Sequence, residues 1–173
     1  DGGVSGVVIQ IGSNFSYIRK SLKEGEIICA AGASLSAAAA FAQKEGLTGL
    51  EFAWGIPGTV GGALFMNAGA YGGEMKDIVV SADYVDGMGN ARTIGFSEMQ
   101  FGYRHSVFSD KDWCITKVKM QLRPGDPAEI RRTMENLMER RKSKQPLEYP
   151  SAGSVFKRPE GNYAGALIEQ CGL

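Results

Sequence analysis

The chain has 173 residues and a mass of 18.5 kDa, the size of one domain or of one domain with part of a second. Its 19 basic and 19 acidic residues cancel, so no bulk field draws it to nucleic acid or to an anionic membrane. No apolar run reaches the length of about 18 residues that a transmembrane helix needs, and three widely spaced cysteines (Cys29, Cys114, Cys171) suggest neither a disulfide framework nor a zinc site. The chain opens on Asp1-Gly2-Gly3, without a basic leader or initiator methionine, and reads as a piece of a longer protein from a reducing compartment.

Val7 to Ile11 reads as a short buried strand, and Phe15 to Lys20 and Glu26 to Ala31 as two more around a Lys23-Glu24-Gly25 turn. Ser34 to Glu45 has the form of a helix: Ser34 or Ser36 can cap it, Leu35, Ala38, Phe41 and Ala42 make its apolar stripe, and Gly46 stops it. Ile78 to Val85 and Ala91 to Ile94 suit a hairpin across Asp86-Gly87-Met88-Gly89-Asn90. In Trp113 to Leu122, Cys114, Val118, Met120 and Leu122 are expected on the buried face. Asp126-Pro127-Ala128-Glu129 opens a helix, with Asp126 as cap and Glu129 able to close a capping box; Ile130, Met134, Leu137 and Met138 form its stripe. Lys144 to Pro150 reads as a linker, which places one domain over 1–143 and a second, incomplete one over 144–173. Strands and helices mix without a βαβ period, so the class is α+β.

Glycine supplies 24 of the 173 residues, about twice the usual share of about 7%, and seven of them lie between Gly55 and Gly73. That density favours contact of bare backbone with a ligand over a tight turn with close helix packing. Pro57 and Thr59 can start a helix whose first N–H groups would face an anion. The pattern is neither GxGxxG nor GxxxxGK[ST]. Arg104, between Phe101 and Phe108, needs a counter-charge: a structural aspartate, or the carboxylate or phosphate of a ligand. His105 is the only histidine and reads as a surface residue rather than a base for Ser106. Small neighbours leave the Ser154 hydroxyl accessible, unless Pro150 to Pro159 is an ordinary loop into a strand; the segment is not a GxSxG elbow. Arg140, Arg141, Lys142 and Lys144 either complement a helix dipole or attract a diphosphate.

Three ordered segments together carry a resemblance. Gly46-Leu47-Thr48-Gly49-Leu50-Glu51-Phe52 running into Gly55-Ile56-Pro57-Gly58-Thr59-Val60-Gly61-Gly62, then Met66-Asn67-Ala68-Gly69-Ala70-Tyr71-Gly72-Gly73-Glu74, is similar to the flavin-binding core of the UDP-N-acetylenolpyruvoylglucosamine reductase (MurB) family. Tyr103-Arg104-His105-Ser106 resembles that family's Tyr-Arg-x-Ser, and Ala152-Gly153-Ser154-Val155-Phe156-Lys157 resembles the start of its substrate domain.

The resemblance implies a PCMH-type FAD-binding domain followed by the start of a MurB C-terminal domain. It implies bound FAD, NADPH as co-substrate, and reduction of an enolpyruvyl UDP-sugar to UDP-N-acetylmuramate for peptidoglycan in the bacterial cytoplasm. It assigns Ser154 as proton donor and Arg104 as the group that stabilises the enolate-like state. Tyr103, Arg104, Lys157 and Gln170 would touch substrate. Gly55, Ile56, Pro57, Gly58, Thr59, Gly61, Gly62, Asn67, Ala68, Gly69 and Tyr71 would line the cofactor, with no metal. The chain is expected to be a central fragment of the type that lacks the family's extra tyrosine loop, inactive alone, and monomeric or weakly dimeric. It would lack both an N-terminal Gly-Ser-Asn turn, for which Gly12-Ser13-Asn14 is no substitute, and a late glutamate. The rival readings are an FAD oxidase of the vanillyl-alcohol-oxidase-like superfamily and a non-catalytic flavin- or nucleotide-binding module.

Overall fold

The computed structural model describes residues 2–145, 147–149 and 155–172. The chain divides into two compact units, Asp1–Arg140 and Arg141–Leu173. In the first, strand β1 (Ile18–Lys20) is followed by β2 (Glu26–Ala30) and helix α1 (Leu35–Lys44). The Ser34 hydroxyl accepts the Ala37 N–H, which caps α1, and the helix buries Leu35, Ala38, Ala39 and Ala42. After β3 (Leu47–Thr48) comes a short helix, α2 (Val60–Phe65), then the small hairpin of β4 (Gly69–Ala70) and β5 (Gly73–Glu74). Longer strands β6 (Val79–Val85), β7 (Ala91–Gly95) and β8 (Cys114–Gln121) lead through β9 (Arg123–Pro124) to α3 (Pro127–Lys142). The second unit contains α4 (Ala164–Gln170), and none of its described residues is buried.

The main sheet is antiparallel, in the order β1-β2-β8-β6-β7. Its buried residues, Ile27 and Cys29 on β2, Val118 and Met120 on β8 and Ala82 on β6, join Leu35, Ala38, Val60 and Leu64 of the helices in one core. Burial pushes the Cys29 thiol up to about 12, so it stays protonated and inert. Lys117 pairs with Asp83, and Lys119 lies 3.7 Å from Glu26. The α+β class is as expected.

Three expectations fail for physical reasons. Val7 to Ile11 forms no strand: Val7, Val8 and Ile9 are exposed, because a strand persists only where its N–H and C=O groups find a neighbour, and none is supplied among the described residues. The strand expected from Phe15 starts only at Ile18, since Ser13–Phe15 turns as a 3₁₀ helix. Cys114 is exposed and Ile115 buried, the reverse of the alternation. Tyr84 pairs with Ile115 while Asp83 pairs with Lys117, so Thr116 is an extra residue that flips the parity of the strand start. The Asp126 cap of α3 does form, with its carboxylate accepting the Ala128 N–H, while the Glu129 side chain takes the Arg132 guanidinium.

Two adjacent glycines of α2 have opposite roles. A Cβ on Gly61 would lie 2.8 Å from the Ala31 Cβ and 3.1 Å from the Ala31 carbonyl oxygen, both rigid. The nearest neighbour of a Cβ on Gly62 is the Thr59 hydroxyl, at 3.5 Å. Gly61→Ala is therefore expected to destabilise the chain by about 1–3 kcal/mol through overpacking. Gly62→Ala should leave stability unchanged or raise it by up to about 1 kcal/mol. Urea unfolding of the two variants checks this, and equal midpoints would remove the packing role of Gly61.

Candidate active site

The glycine-rich segment begins on the core. The Gly55 N–H bonds to the Ser36 hydroxyl at 3.3 Å, and Ile56 packs against the apolar cluster. Pro57, Gly58 and Thr59 then emerge exposed. Gly58 has φ +134°, a conformation closed to other residues, and nothing lies within 4 Å of where a Cβ would stand. Here a flat ring or a phosphate can touch the main chain directly. The expected anion site at the start of α2 is not present, because its N–H groups are used inside the fold. Val60 donates to the Ala33 carbonyl and Gly61 to the Ala31 carbonyl, each at 2.8 Å, and Gly62 donates to the Thr59 hydroxyl at 3.3 Å. Exposed backbone at Pro57–Thr59, where the Gly58 and Thr59 carbonyls already accept the Leu35 and Ala63 N–H groups, and not a helix dipole, is what this segment offers a ligand.

Beyond α2 the chain turns tightly at Asn67. This residue is wholly buried, with φ +42°. Its side-chain N–H groups donate to the Glu74 carboxylate and the Gly102 carbonyl, both at 2.9 Å, and its side-chain oxygen accepts the Lys76 N–H at 3.0 Å. Ala68 bonds through its backbone to Ala63 and Met75. Gly69 faces Glu74 across the β4–β5 hairpin, where a Cβ would lie 2.6 Å from the Gly73 carbonyl oxygen. At the hairpin tip Tyr71 has φ +55° and Gly72 φ +89°, the signature of a type I′ turn with a tyrosine where asparagine is usual. The Arg140 guanidinium stacks over the Tyr71 ring, 4.9 Å from its centroid.

Arg104 comes from a separate loop. Gly102 and His105 exchange backbone hydrogen bonds at 3.0 and 3.3 Å, closing a turn in which Arg104 takes φ +52°. Its guanidinium donates to the Gly69 carbonyl at 3.0 Å and lies 5.2 Å from the Tyr103 ring centroid. It forms no ion pair among the described residues, so the structural aspartate considered above is not what holds it. The Lys76 hydrogen bond keeps the Glu74 carboxyl below the usual carboxylate range despite its burial, and Asn67 and the charge of Arg104 add to the effect. The four non-glycine residues described with left-handed φ are Asn67, Tyr71, Gln100 and Arg104, all in or beside this cluster. Such conformations cost of order 1–3 kcal/mol each and concentrate where function fixes the backbone.

His105 pairs with Asp110 at 3.5 Å on the surface, as expected of it. The Ser106 hydroxyl is buried and donates to the Phe65 carbonyl at 2.7 Å, so it is not a nucleophile. Among the described residues no helix is long and apolar enough to cross a membrane, and no group of three or more His, Cys, Asp and Glu could hold a metal. A hollow of about 460 Å³ at the far hairpin, lined by Tyr84, Asp86, Met88, Arg92 and Trp113, contains none of the candidate residues.

Residues 1–95 match the family model described as an FAD-binding domain, and residues 145–173 match the C-terminal domain of UDP-N-acetylenolpyruvoylglucosamine reductase. The curated reductase of Lactococcus lactis subsp. cremoris (strain SK11) is 50% identical over 173 residues, which is all of this chain and 57% of that protein. That of Caldanaerobacter subterraneus subsp. tengcongensis is 51% identical over 99% of the chain and 56% of its own length. The crystal structure of MurB from Thermus caldophilus superposes with a TM-score of 0.86 at 35% identity, covering 100% of this chain and 62% of that one. This chain belongs to the MurB family.

It spans a little over half the length of the curated MurB relatives it matches. Two of the three MurB motifs quoted from the sequence meet in three dimensions: Arg104 of the Tyr-Arg-x-Ser segment rests on Gly69 of the glycine-rich segment. Lys157 and Gln170 are exposed in the second unit, Gln170 at the end of α4. Ser154 and the Pro150 to Gly153 stretch before it lie outside the described residues. Sequence reasoning passed over Glu74 and Lys76, whose part in the cluster appears only when a buried amide joins segments 35 residues apart.

Proposed function

We propose that the full-length protein containing this chain reduces UDP-N-acetylenolpyruvoylglucosamine to UDP-N-acetylmuramate, a peptidoglycan precursor, in the bacterial cytoplasm. The FAD-binding domain would run over residues 1–143 and the substrate domain from 144. The observation that carries this reading is the bond between Arg104 and Gly69, which fixes a guanidinium, in no ion pair among the described residues, against the segment whose backbone is exposed. Bare backbone at Pro57–Thr59 fits a dinucleotide such as FAD, with Gly55, Ile56, Gly61, Gly62, Asn67, Ala68, Gly69 and Tyr71 shaping that segment. When bound there, flavin would supply the two-electron chemistry that passes hydride from NADPH to the terminal enol carbon.

The residues do the rest. As the C=C bond gains hydride, negative charge builds on the neighbouring carbon and spreads into its carboxylate. Arg104 holds that carboxylate and stabilises the charge more in the transition state than in the ground state. The Ser154 hydroxyl then gives its proton to the carbon, a transfer that runs downhill because a carbanion is a stronger base than an alkoxide. Tyr103, Lys157 and Gln170 bind the rest of the UDP-sugar. Fifty per cent identity to named reductases over the whole chain favours this reading over an oxidase or a non-catalytic module.

The test is an absorbance spectrum of the full-length protein. Flavin bands that bleach with NADPH and return on adding the enolpyruvyl nucleotide are expected. Bands that return only with oxygen would favour the oxidase. No flavin bands after incubation with FAD would overturn the reading.

A further inference from the structure

We propose that Asn67 and Glu74 are positioning residues for Arg104: one buried amide locks the turn that carries the guanidinium to the hairpin that receives it. The inference rests on the role given to Arg104 above and adds what aims it.

Two turns have to keep register for Arg104 to point one way. Its own turn, Gly102 to His105, is short and strained at φ +52°. The other is the β4–β5 hairpin, whose Gly69 carbonyl takes the Arg104 N–H at 3.0 Å. Neither turn reaches the other through regular secondary structure, and the segments are 35 residues apart. Asn67 spans the gap. One side-chain nitrogen donates both to the Gly102 carbonyl at the base of the first turn and to the Glu74 carboxylate, which faces Gly69 in the second. The amide oxygen accepts the Lys76 N–H, so the side chain is held at both ends. The Asn67 side chain itself is 0% exposed, so its amide has little water to exchange these bonds for.

Glu74 gives the arrangement its direction. Its carboxylate binds both the Asn67 amide and the Lys76 ammonium, each at 2.9 Å. With Oε2 held by both, Glu74 acts on Arg104 through its charge and forms no ion pair with it among the described residues. A side chain that only filled space would need neither the amide nor the charge. The cost of the left-handed backbone at Asn67 is consistent with a residue selected for where its amide points.

Glu74 carries the test, because truncating Asn67 would orphan buried groups and threaten the fold. Its side chain is 29% exposed, so water can replace what alanine removes. In the full-length holoenzyme, Glu74→Ala is expected to slow reoxidation of reduced flavin by the enolpyruvyl nucleotide about tenfold. Flavin reduction by NADPH and FAD content should stay as in the parent. Glu74→Gln, which keeps an acceptor for Asn67, should recover most of the loss. In an Arg104→Ala background both substitutions should change the rate by less than about twofold, since nothing is left to aim. An equal loss in both backgrounds, no loss with Glu74→Ala, or a loss of NADPH-driven reduction as well would overturn the inference. If Arg104→Ala itself left reoxidation unchanged, the role of Arg104 would fail, and this inference with it.

Discussion

Ser154→Ala is expected to leave NADPH reduction of the flavin near the parent rate and to slow reoxidation by the enolpyruvyl nucleotide by about 10²–10⁴-fold. The size of the effect follows if no other group delivers the proton, and most of the candidates described near Arg104 are unsuited to it. His105 is tied to Asp110 on the surface, and the buried Ser106 hydroxyl donates its O–H to the Phe65 carbonyl. The Cys29 thiol is deep in the core, and its acidity is suppressed by burial. Tyr103, half exposed beside the guanidinium, is the remaining rival. Tyr103→Phe separates the two: it should weaken substrate binding while leaving proton delivery intact. Rapid mixing of pre-reduced enzyme with substrate measures the step directly. A large loss with Tyr103→Phe and a small one with Ser154→Ala would transfer the donor role to the phenol.

What the sequence made legible was local. Ser34 capping α1, the hairpin over Asp86 to Asn90 and the Asp126 cap of α3 each depend on residues within a few positions of one another. Asp86 accepts the N–H groups of Met88 and Asn90, as its place in the turn implies. Signals fail where the partner is distant. Val7 to Ile11 has the composition of a strand but no paired edge among the described residues. A single extra residue at Thr116 inverts the face of Cys114. The start of α2 resembles an anion site until the Ala33 and Ala31 carbonyls, 27 and 30 residues earlier, are seen to occupy the Val60 and Gly61 N–H groups.

The glycines divide in the same way. Gly58 is open to solvent, as a ligand-contacting residue would be. Gly61, Gly69 and Gly73 are small because Ala31, the facing strand and the Phe52 ring crowd them. Density of glycine in the sequence cannot distinguish these causes, since both require a missing Cβ. Arg104 was legible as a cation in need of a partner. That its first partner is the Gly69 carbonyl followed only from the fold.

Arg104→Ala is expected to lower the rate of substrate-driven flavin reoxidation by about 10²–10³-fold and to raise the substrate concentration needed for half-maximal rate. Both change because the guanidinium would bind the carboxylate before hydride transfer and hold it more tightly as charge accumulates. Arg104→Lys should rescue little, since an ammonium cannot hold the Gly69 carbonyl and a carboxylate oxygen with the same planar fork. Arg104→Gly divides conformation from chemistry. At φ +52° glycine relieves the strain borne by arginine, so the folded state should be as stable as the parent or more so by up to about 1 kcal/mol. Activity should nevertheless fall as far as in the alanine variant. A glycine variant both more stable and inactive would mean that the turn is kept strained for the guanidinium it presents. A glycine variant that keeps its reoxidation rate would mean that the loop, and not the charge, is what substrate requires.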